Sequence, residues 1–242
     1  MKAIVFADRR GTRLGSLTDN TCVALLRVGG KHVIEHALEA LAGTGVSEVI
    51  VVAPAEHLEA VEAVVAAGSL LGVPVECVPS SWGESPDAAV ARLQPRFDDE
   101  LLVMRGDVLR SACIADFLAR SAAFPGLFSL AAMIGGRPAG LRLVRPGSPL
   151  PLGLPRDPDG DWQEGPPRIE LPGAALALFE SAVAYYRTQV DVWAGRFPGL
   201  RLRGRHAMPA GCPHSDSCGS WPRAAEGRAA FFGSVAFARP LA

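Results

Sequence analysis

A doubly wound α/β fold around a mostly parallel sheet is predicted by three observations. Short apolar runs alternate with amphipathic segments of about ten residues through the first half of the chain. The run Val46 to Ala53 has the apolar continuity of a strand covered on both faces. Glycines and prolines punctuate the boundaries, as at Gly43, Gly45, Gly68 and Pro86. Strands alternating with helices imply parallel βαβ units with right-handed crossovers, hence helices on both sides of the sheet.

The elements follow in order. Lys2 to Ala7 is a strand at the N-terminus, and the polar, glycine-containing stretch Asp8 to Thr21 follows it. Val33 to Ala42 carries apolar residues at helical spacing and is stopped by Gly43 and Gly45. Val46 to Ala53 is a second strand, Glu56 to Ala67 a second helix and Val73 to Pro79 a third strand. Pro86 to Leu93 opens with Pro and Asp, as first helical turns often do. Leu101 to Met104 is a fourth strand that runs into Arg105-Gly106-Asp107, and Ile114 to Ala122 is a fourth helix.

The second half is less regular. Leu127 to Ile134 and Leu141 to Val144 read as a hairpin through Gly135 to Pro138, and Pro146 to Pro172 reads as loop. Ala174 to Trp193 reads as one helix. From His206 to Ala242 no period is evident, although Phe231 to Phe237 has strand character. The expected organisation is an α/β domain over residues 1–200 with an irregular C-terminal tail or curtailed appendage over 201–242.

Composition excludes several function classes. The 242 residues are 49% hydrophobic, which rules out a disordered chain. With 24 Lys+Arg against 25 Asp+Glu, the chain has no broad electrostatic handle on nucleic acid or an anionic membrane. No apolar run is long enough for membrane insertion, and charge arrives too early for a signal peptide, so a cytoplasmic chain is expected. Five scattered cysteines then read as reduced thiols. Lys2 and Lys31 are the only lysines, so any chemistry that needs an amine uses one of these two.

Open α/β sheets bind ligands beyond the carboxyl ends of their strands. Two polar segments fall there: Asp8 to Arg13 after the first strand and Gly106-Asp107 after the fourth. Gly11, Thr12 and Arg13 suit a phosphate cradle, because glycine admits backbone N–H groups and arginine grips phosphate with a planar fork. An ordinary connection with solvated arginines has the same pattern. Asp107 suits Mg2+, or a turn aspartate. Lys31 follows Gly29-Gly30 and suits phosphate or a surface position. His32 and His36 stand one helical turn apart, a possible metal spacing with no third ligand in reach, and Cys212, His214 and Cys218, with His206 nearby, have a spacing that fits no standard zinc pattern well.

The opening MKAIVFADRRGTRLGSLT, the later LLRVGGK, the helix and strand after it, and LLVMRGD at 101–107 together resemble the sugar-1-phosphate nucleotidyltransferases, or NDP-sugar pyrophosphorylases. The resemblance covers Met1 to about Ala122. It implies a Rossmann-like fold of the nucleotide-diphospho-sugar transferase type. It also implies a reaction in which a sugar 1-phosphate attacks the α-phosphate of a nucleoside triphosphate, giving NDP-sugar and pyrophosphate. Such a step needs charge neutralisation and in-line placement. By the same resemblance Ala7, Asp8, Gly11, Thr12, Arg13, Gly83 and Gly106 bind nucleotide, Arg13, Lys31 and Asp107 serve catalysis, and Asp107 holds Mg2+.

The chain also departs from that pattern. Two loop glycines of the family fall on Asp8 and Arg9, and a lysine that supplies charge to the phosphates falls on Val23. The base-recognition segment maps onto Trp82 to Ala89, where only Gly83 keeps its place. Asp157, Asp159, Asp161 and Asp191 are the candidates for a second metal aspartate. The expectation is therefore an impaired nucleotidyltransferase, with magnesium, a nucleoside triphosphate and a sugar phosphate as ligands. The alternative is a catalytically inactive relative: a nucleotide-binding, regulatory or scaffolding subunit of surface-polysaccharide synthesis, with a protein partner or a homo-oligomer. A third reading, a glycosyltransferase, rests on the Asp-x-Asp spacings at 157–161.

Overall fold

The computed structural model describes residues 1–67, 72–80, 84–93, 96, 99–148, 166–202, 230–232 and 235–237. The chain opens with β1 (Lys2–Phe6) and, after 3-10 segments at Thr12–Leu17, kinked at Gly15, and Val23–Leu25, forms a small ribbon of β2 (Arg27–Val28) and β3 (Lys31–His32). Helix α1 (Val33–Glu39) begins directly after it. Glu35 Oε2 accepts from the His32 backbone N–H at 2.7 Å, which ties off the helix start. Then come β4 (Val49–Pro54), α2 (Leu58–Ala67), β5 (Val75–Ser80), α3 (Pro86–Leu93) and β6 (Leu101–Arg105).

Beyond β6 lie β7 (Leu109–Arg110), α4 (Ile114–Ser121), β8 (Ser129–Ile134), β9 (Arg137–Val144), β10 (Arg168–Glu170), β11 (Leu176–Ala177) and α5 (Ala182–Trp193). Two late strands, β12 (Ala230–Phe232) and β13 (Val235–Phe237), pair antiparallel with each other. The single strand expected at 231–237 is therefore two strands.

The seven strands of the main sheet run in the order β10-β8-β9-β6-β1-β4-β5. β1 pairs in parallel with both β4 and β6, and β4 pairs in parallel with β5. β9 is antiparallel to both β6 and β8, and β10 rejoins β8 in parallel. This is the doubly wound, mostly parallel α/β sheet that the alternation predicts. β8 and β9 form the expected hairpin, tighter than expected because it turns through Gly135-Gly136 alone.

Parity along β1 explains why both faces are covered. Ala3 and Val5 point into a core built with α1, α2 and α4, including Ile34, Leu38, Val61 and Phe117. Ile4 and Phe6 point the other way, against Ala89, Val90 and Leu93 of α3. A continuously apolar strand is what burial on both faces requires.

The expected helix from Ala174 is corrected. Leu176 and Ala177 pair antiparallel with Arg110 and Leu109, and the helix starts only after Ser181. The Ser181 hydroxyl accepts from the Ala184 N–H at 3.1 Å, an N-cap that apolar spacing does not register. α5 then docks on the small ribbon. Tyr185 Oη donates to the Arg27 carbonyl at 2.6 Å, Gln189 Nε2 donates to the same oxygen, and Gln189 Oε1 accepts from Gly29 N at 3.4 Å.

Candidate functional site

Two connections converge where β1 and β6 end side by side. Phe6 is in register with Arg105, and the Gly106 N–H donates to the Phe6 carbonyl at 2.7 Å. The chain leaving β1 turns toward β4, whereas β6 lies on the opposite side of β1, so this is the switch point of the sheet, where such folds form a crevice. The loop 7–13 and the pair Gly106-Asp107 are thus neighbours.

Gly106 is what lets them close up. A Cβ there would lie 2.6 Å from Ile34 Cδ1 and 2.7 Å from Val5 Cγ1. Gly11 plays the corresponding part in the loop. It adopts φ +78°, a left-handed conformation that suits glycine, and a Cβ on it would lie 2.5 Å from Val23 Cγ2. Val23 is fully buried among Leu14, Leu26, Val28, Val33 and Phe179. The position that resembles a phosphate-facing lysine is core here, and it supports the loop from below.

Asp107 is fully buried and held by arginines. Arg105 Nε donates to its Oδ1 at 3.0 Å, and Arg105 Nη2 donates to its Oδ2. Arg9 Nε lies 3.4 Å from Oδ2, and Arg9 Nη2 donates to the Asp107 carbonyl at 3.0 Å. Asp8 Oδ1 sits 3.0 Å from Arg105 Nη2, an ion pair by distance whose angle is not that of a hydrogen bond. One guanidinium nitrogen therefore bridges two carboxylates. Burial pushes the Asp107 carboxyl up, but the charges of Arg105 and Arg9 outweigh it, and the group titrates below its ordinary value.

A third arginine lies behind. Arg110 Nη2 donates to the Arg105 carbonyl at 2.7 Å and its Nε to the Ala139 carbonyl at 3.0 Å, while its Nη1 is buried with no hydrogen-bond partner. Burial lowers this guanidinium to about 10, so it stays charged at neutral pH. Gly140 makes room for both arginines: a Cβ there would lie 2.9 Å from Arg105 Cγ and 3.3 Å from Arg110 Nη2.

The donor set around Asp107 does not fit a divalent cation. Both of its oxygens are engaged by guanidinium nitrogens, and Asp8 is drawn to the same arginine. No group of three or more His, Cys, Asp or Glu suited to a metal occurs among the described residues.

The other expected site residues separate. Ala7 is buried and donates its N–H to Val52, so it belongs to the sheet as well as the loop. Thr12 and Arg13 are exposed at the start of the turn after Gly11. Lys31 is buried and paired with Glu39 of α1 at 2.5 Å. The histidines His32 and His36 face backbone carbonyls: His32 Nδ1 lies 2.6 Å from Leu25 O, and His36 Nε2 lies 2.8 Å from Val28 O. Asp191 pairs with Arg196 at 2.8 Å. Gly83, the tail group Cys212, His214 and Cys218, and the aspartates 157, 159 and 161 lie outside the described residues.

Residue reasoning passed over Arg105 and Arg110. The available signal was a charge closing a strand of otherwise apolar residues, LLVMR, two positions before the aspartate that needs a counter-ion.

A family model described as the MobA-like NTP transferase domain matches residues 3–152. The CMP-5'-(3-aminopropyl)phosphonate synthase of Streptomyces rubellomurinus is 30% identical over 149 residues, which are 60% of this chain and 23% of that protein. The choline-phosphate cytidylyltransferase of Streptococcus pneumoniae is 42% identical over 52 residues, 22% of this chain and 23% of that protein. The chain thus spans about a quarter of the length of these two relatives, 23% of each. The N-acetylmuramate alpha-1-phosphate uridylyltransferase of Neisseria meningitidis is 34% identical over 198 residues, 78% of this chain and 77% of that protein. A crystal structure from Bacillus anthracis, described as a glucose-1-phosphate thymidylyltransferase in complex with sucrose, shares the fold. Its TM-score is 0.64 at 17% identity, over 78% of this chain and 94% of that one.

Proposed function

This chain belongs to the MobA-like NTP transferase family, and on that premise we propose that it binds a pyrimidine nucleoside triphosphate and transfers the nucleotidyl group to a sugar 1-phosphate, at an impaired rate. The observation that carries the reading is the convergence of the loop 7–13 with Gly106-Asp107 at the switch point of the sheet. The pyrimidine choice rests on relatives named for CMP, cytidylyl and uridylyl transfer.

In this reading Gly11, Thr12 and Arg13 hold the triphosphate at the exposed lip of the loop. Backbone N–H groups approach where Gly11 has no side chain, and Arg13 offers a planar fork. Ala7, Asp8 and Gly106 line the floor, and Gly83 stays the candidate on the base side. Asp107 orders the floor through Arg105 and Arg9. Lys31 steadies the ribbon through Glu39 and is a weaker catalytic candidate than its position suggests. The chain binds and aligns the phosphates so that the acceptor oxygen attacks in line with departing pyrophosphate.

The test is pyrophosphate release with UTP or CTP and either glucose 1-phosphate or N-acetylmuramate α-1-phosphate, beside Arg13→Ala. Slow release that needs the acceptor and falls in the variant supports the reading. Release without acceptor dependence, or none at any enzyme concentration, overturns the transferase reading.

A second reading, a non-catalytic nucleotide-binding subunit, is favoured by one observation. Val23 stands buried where the resemblance places a phosphate-facing lysine. Nucleotide binding without pyrophosphate release selects it.

A further inference from the structure

The cluster beneath the loop contains its own cation. Asp8 and Asp107 meet on one nitrogen of Arg105, Arg9 closes on Asp107 from the loop, and Arg110 holds the Arg105 backbone. All five side chains are buried or nearly so; Asp107 is 0% exposed and Arg110 3%. Left alone, the two carboxylates would repel a phosphate at the lip above them. Among the described residues, three guanidiniums stand against these two carboxylates and reverse that sign.

We propose that the Arg105 guanidinium takes the place of a divalent cation between Asp8 and Asp107, so that nucleotide phosphates bind at this site without metal. The second half of this statement rests on the function proposed above. The first half does not, because it concerns only the chain and a metal ion. A guanidinium engages carboxylates through directed N–H donors, and it is neither chelated nor exchanged. Asp8 and Arg105 then act together: Asp8 brings a carboxylate where the resembling family has glycine, and Arg105 neutralises it.

The experiment titrates the full chain with Mn2+ alone, reading free Mn2+ by electron paramagnetic resonance. The wild type should leave millimolar Mn2+ free, whereas Arg105→Met should hold one ion per chain and Arg105→Met with Asp107→Asn should hold none. Stoichiometric Mn2+ on the wild type that Asp107→Asn abolishes would overturn the proposal. So would a folded Arg105→Met, verified by its thermal transition, that holds no Mn2+. If Arg105→Met does not fold, the wild-type titration decides, joined by calorimetry with UTP and CTP in EDTA and in MgCl2. Equal affinity in both buffers is expected; a tenfold gain with Mg2+ would overturn the metal-free binding. Absence of nucleotide binding in either buffer counts against the proposed function, while the Mn2+ result still decides the role of Arg105.

Discussion

Arg105 and Asp107, two residues apart at the end of one strand, form a bidentate buried pair, with Nε donating to Oδ1 at 3.0 Å and Nη2 donating to Oδ2. Gly106 between them packs where a side chain would meet Ile34 and Val5. A carboxylate that a sequence motif offers to metal is thereby committed to a neighbour in the chain.

Removing that carboxylate's charge should be costly. Asp107→Asn removes the charge that both Arg105 and Arg9 face, and breaking a buried pair in this way costs about 3–5 kcal/mol. The depressed carboxyl also sets a pH window. Its contribution is complete above the unfolded carboxyl value of about 3.9 and is lost as pH falls through the lower folded value. Urea unfolding at neutral pH checks the first point; a loss under about 1 kcal/mol, the size of an exposed pair, would contradict it.

Restoring a lysine at position 23 should unfold the loop rather than restore charge to it. A fully buried lysine drops by up to about 3–5 pKa units, roughly 4–7 kcal/mol at 1.36 kcal/mol per unit. Val23 is fully buried. Val23→Lys should therefore lower the thermal midpoint strongly even when combined with Asp8→Gly and Arg9→Gly. A variant as stable as the wild type would show that the lysine finds a way to solvent.

Gly106→Ala and Gly11→Ala should differ in kind. At Gly106 the added methyl meets Ile34 and Val5 at 2.6 and 2.7 Å, an overpacking cost of about 1–3 kcal/mol. At Gly11 a similar clash with Val23 adds to a left-handed conformation worth about 1–2 kcal/mol. Gly11→Ala should be the more destabilising in parallel denaturant titrations, and the reverse order would count against the loop geometry.

Histidine 36 should make stability depend on pH. Burial lowers its pKa, and its Nδ1 is buried with no hydrogen-bond partner while Nε2 faces Val28 O. The unfolded chain therefore binds the extra proton first. The stabilisation is complete above the unfolded value of about 6.5 and declines as pH falls below it, by at most about 1.4 kcal/mol per pH unit. His36→Gln should flatten that slope. An unchanged slope would assign it to other groups.

Much of the frame is legible in the sequence. Strands β1, β4 and β6 are apolar without alternation because both of their faces are covered, and that composition is visible in order along the chain. Gly106 was legible as part of a strand-Gly-Asp element, and Gly11 as a loop glycine. The start of α5 was not, because Ser181 caps it only once Leu176 and Ala177 are claimed by β7. Val23 was legible as a missing lysine but not as core.

By itself the sequence determined the order of the main strands and helices through the first half of the chain, and with it the end of the sheet where a ligand site forms, since parallel crossovers of one hand leave few arrangements. Only the tertiary structure decided what Asp107 does. Along the chain Arg9 reads as solvated charge, Arg105 carries only the hint of closing an apolar strand two residues before Asp107, and nothing local says that Arg110 turns inward. That follows from the register of β1 with β6 and the space at Gly140, which bring distant charges into a buried volume. There the cost of desolvation forces each carboxylate to take the nearest guanidinium.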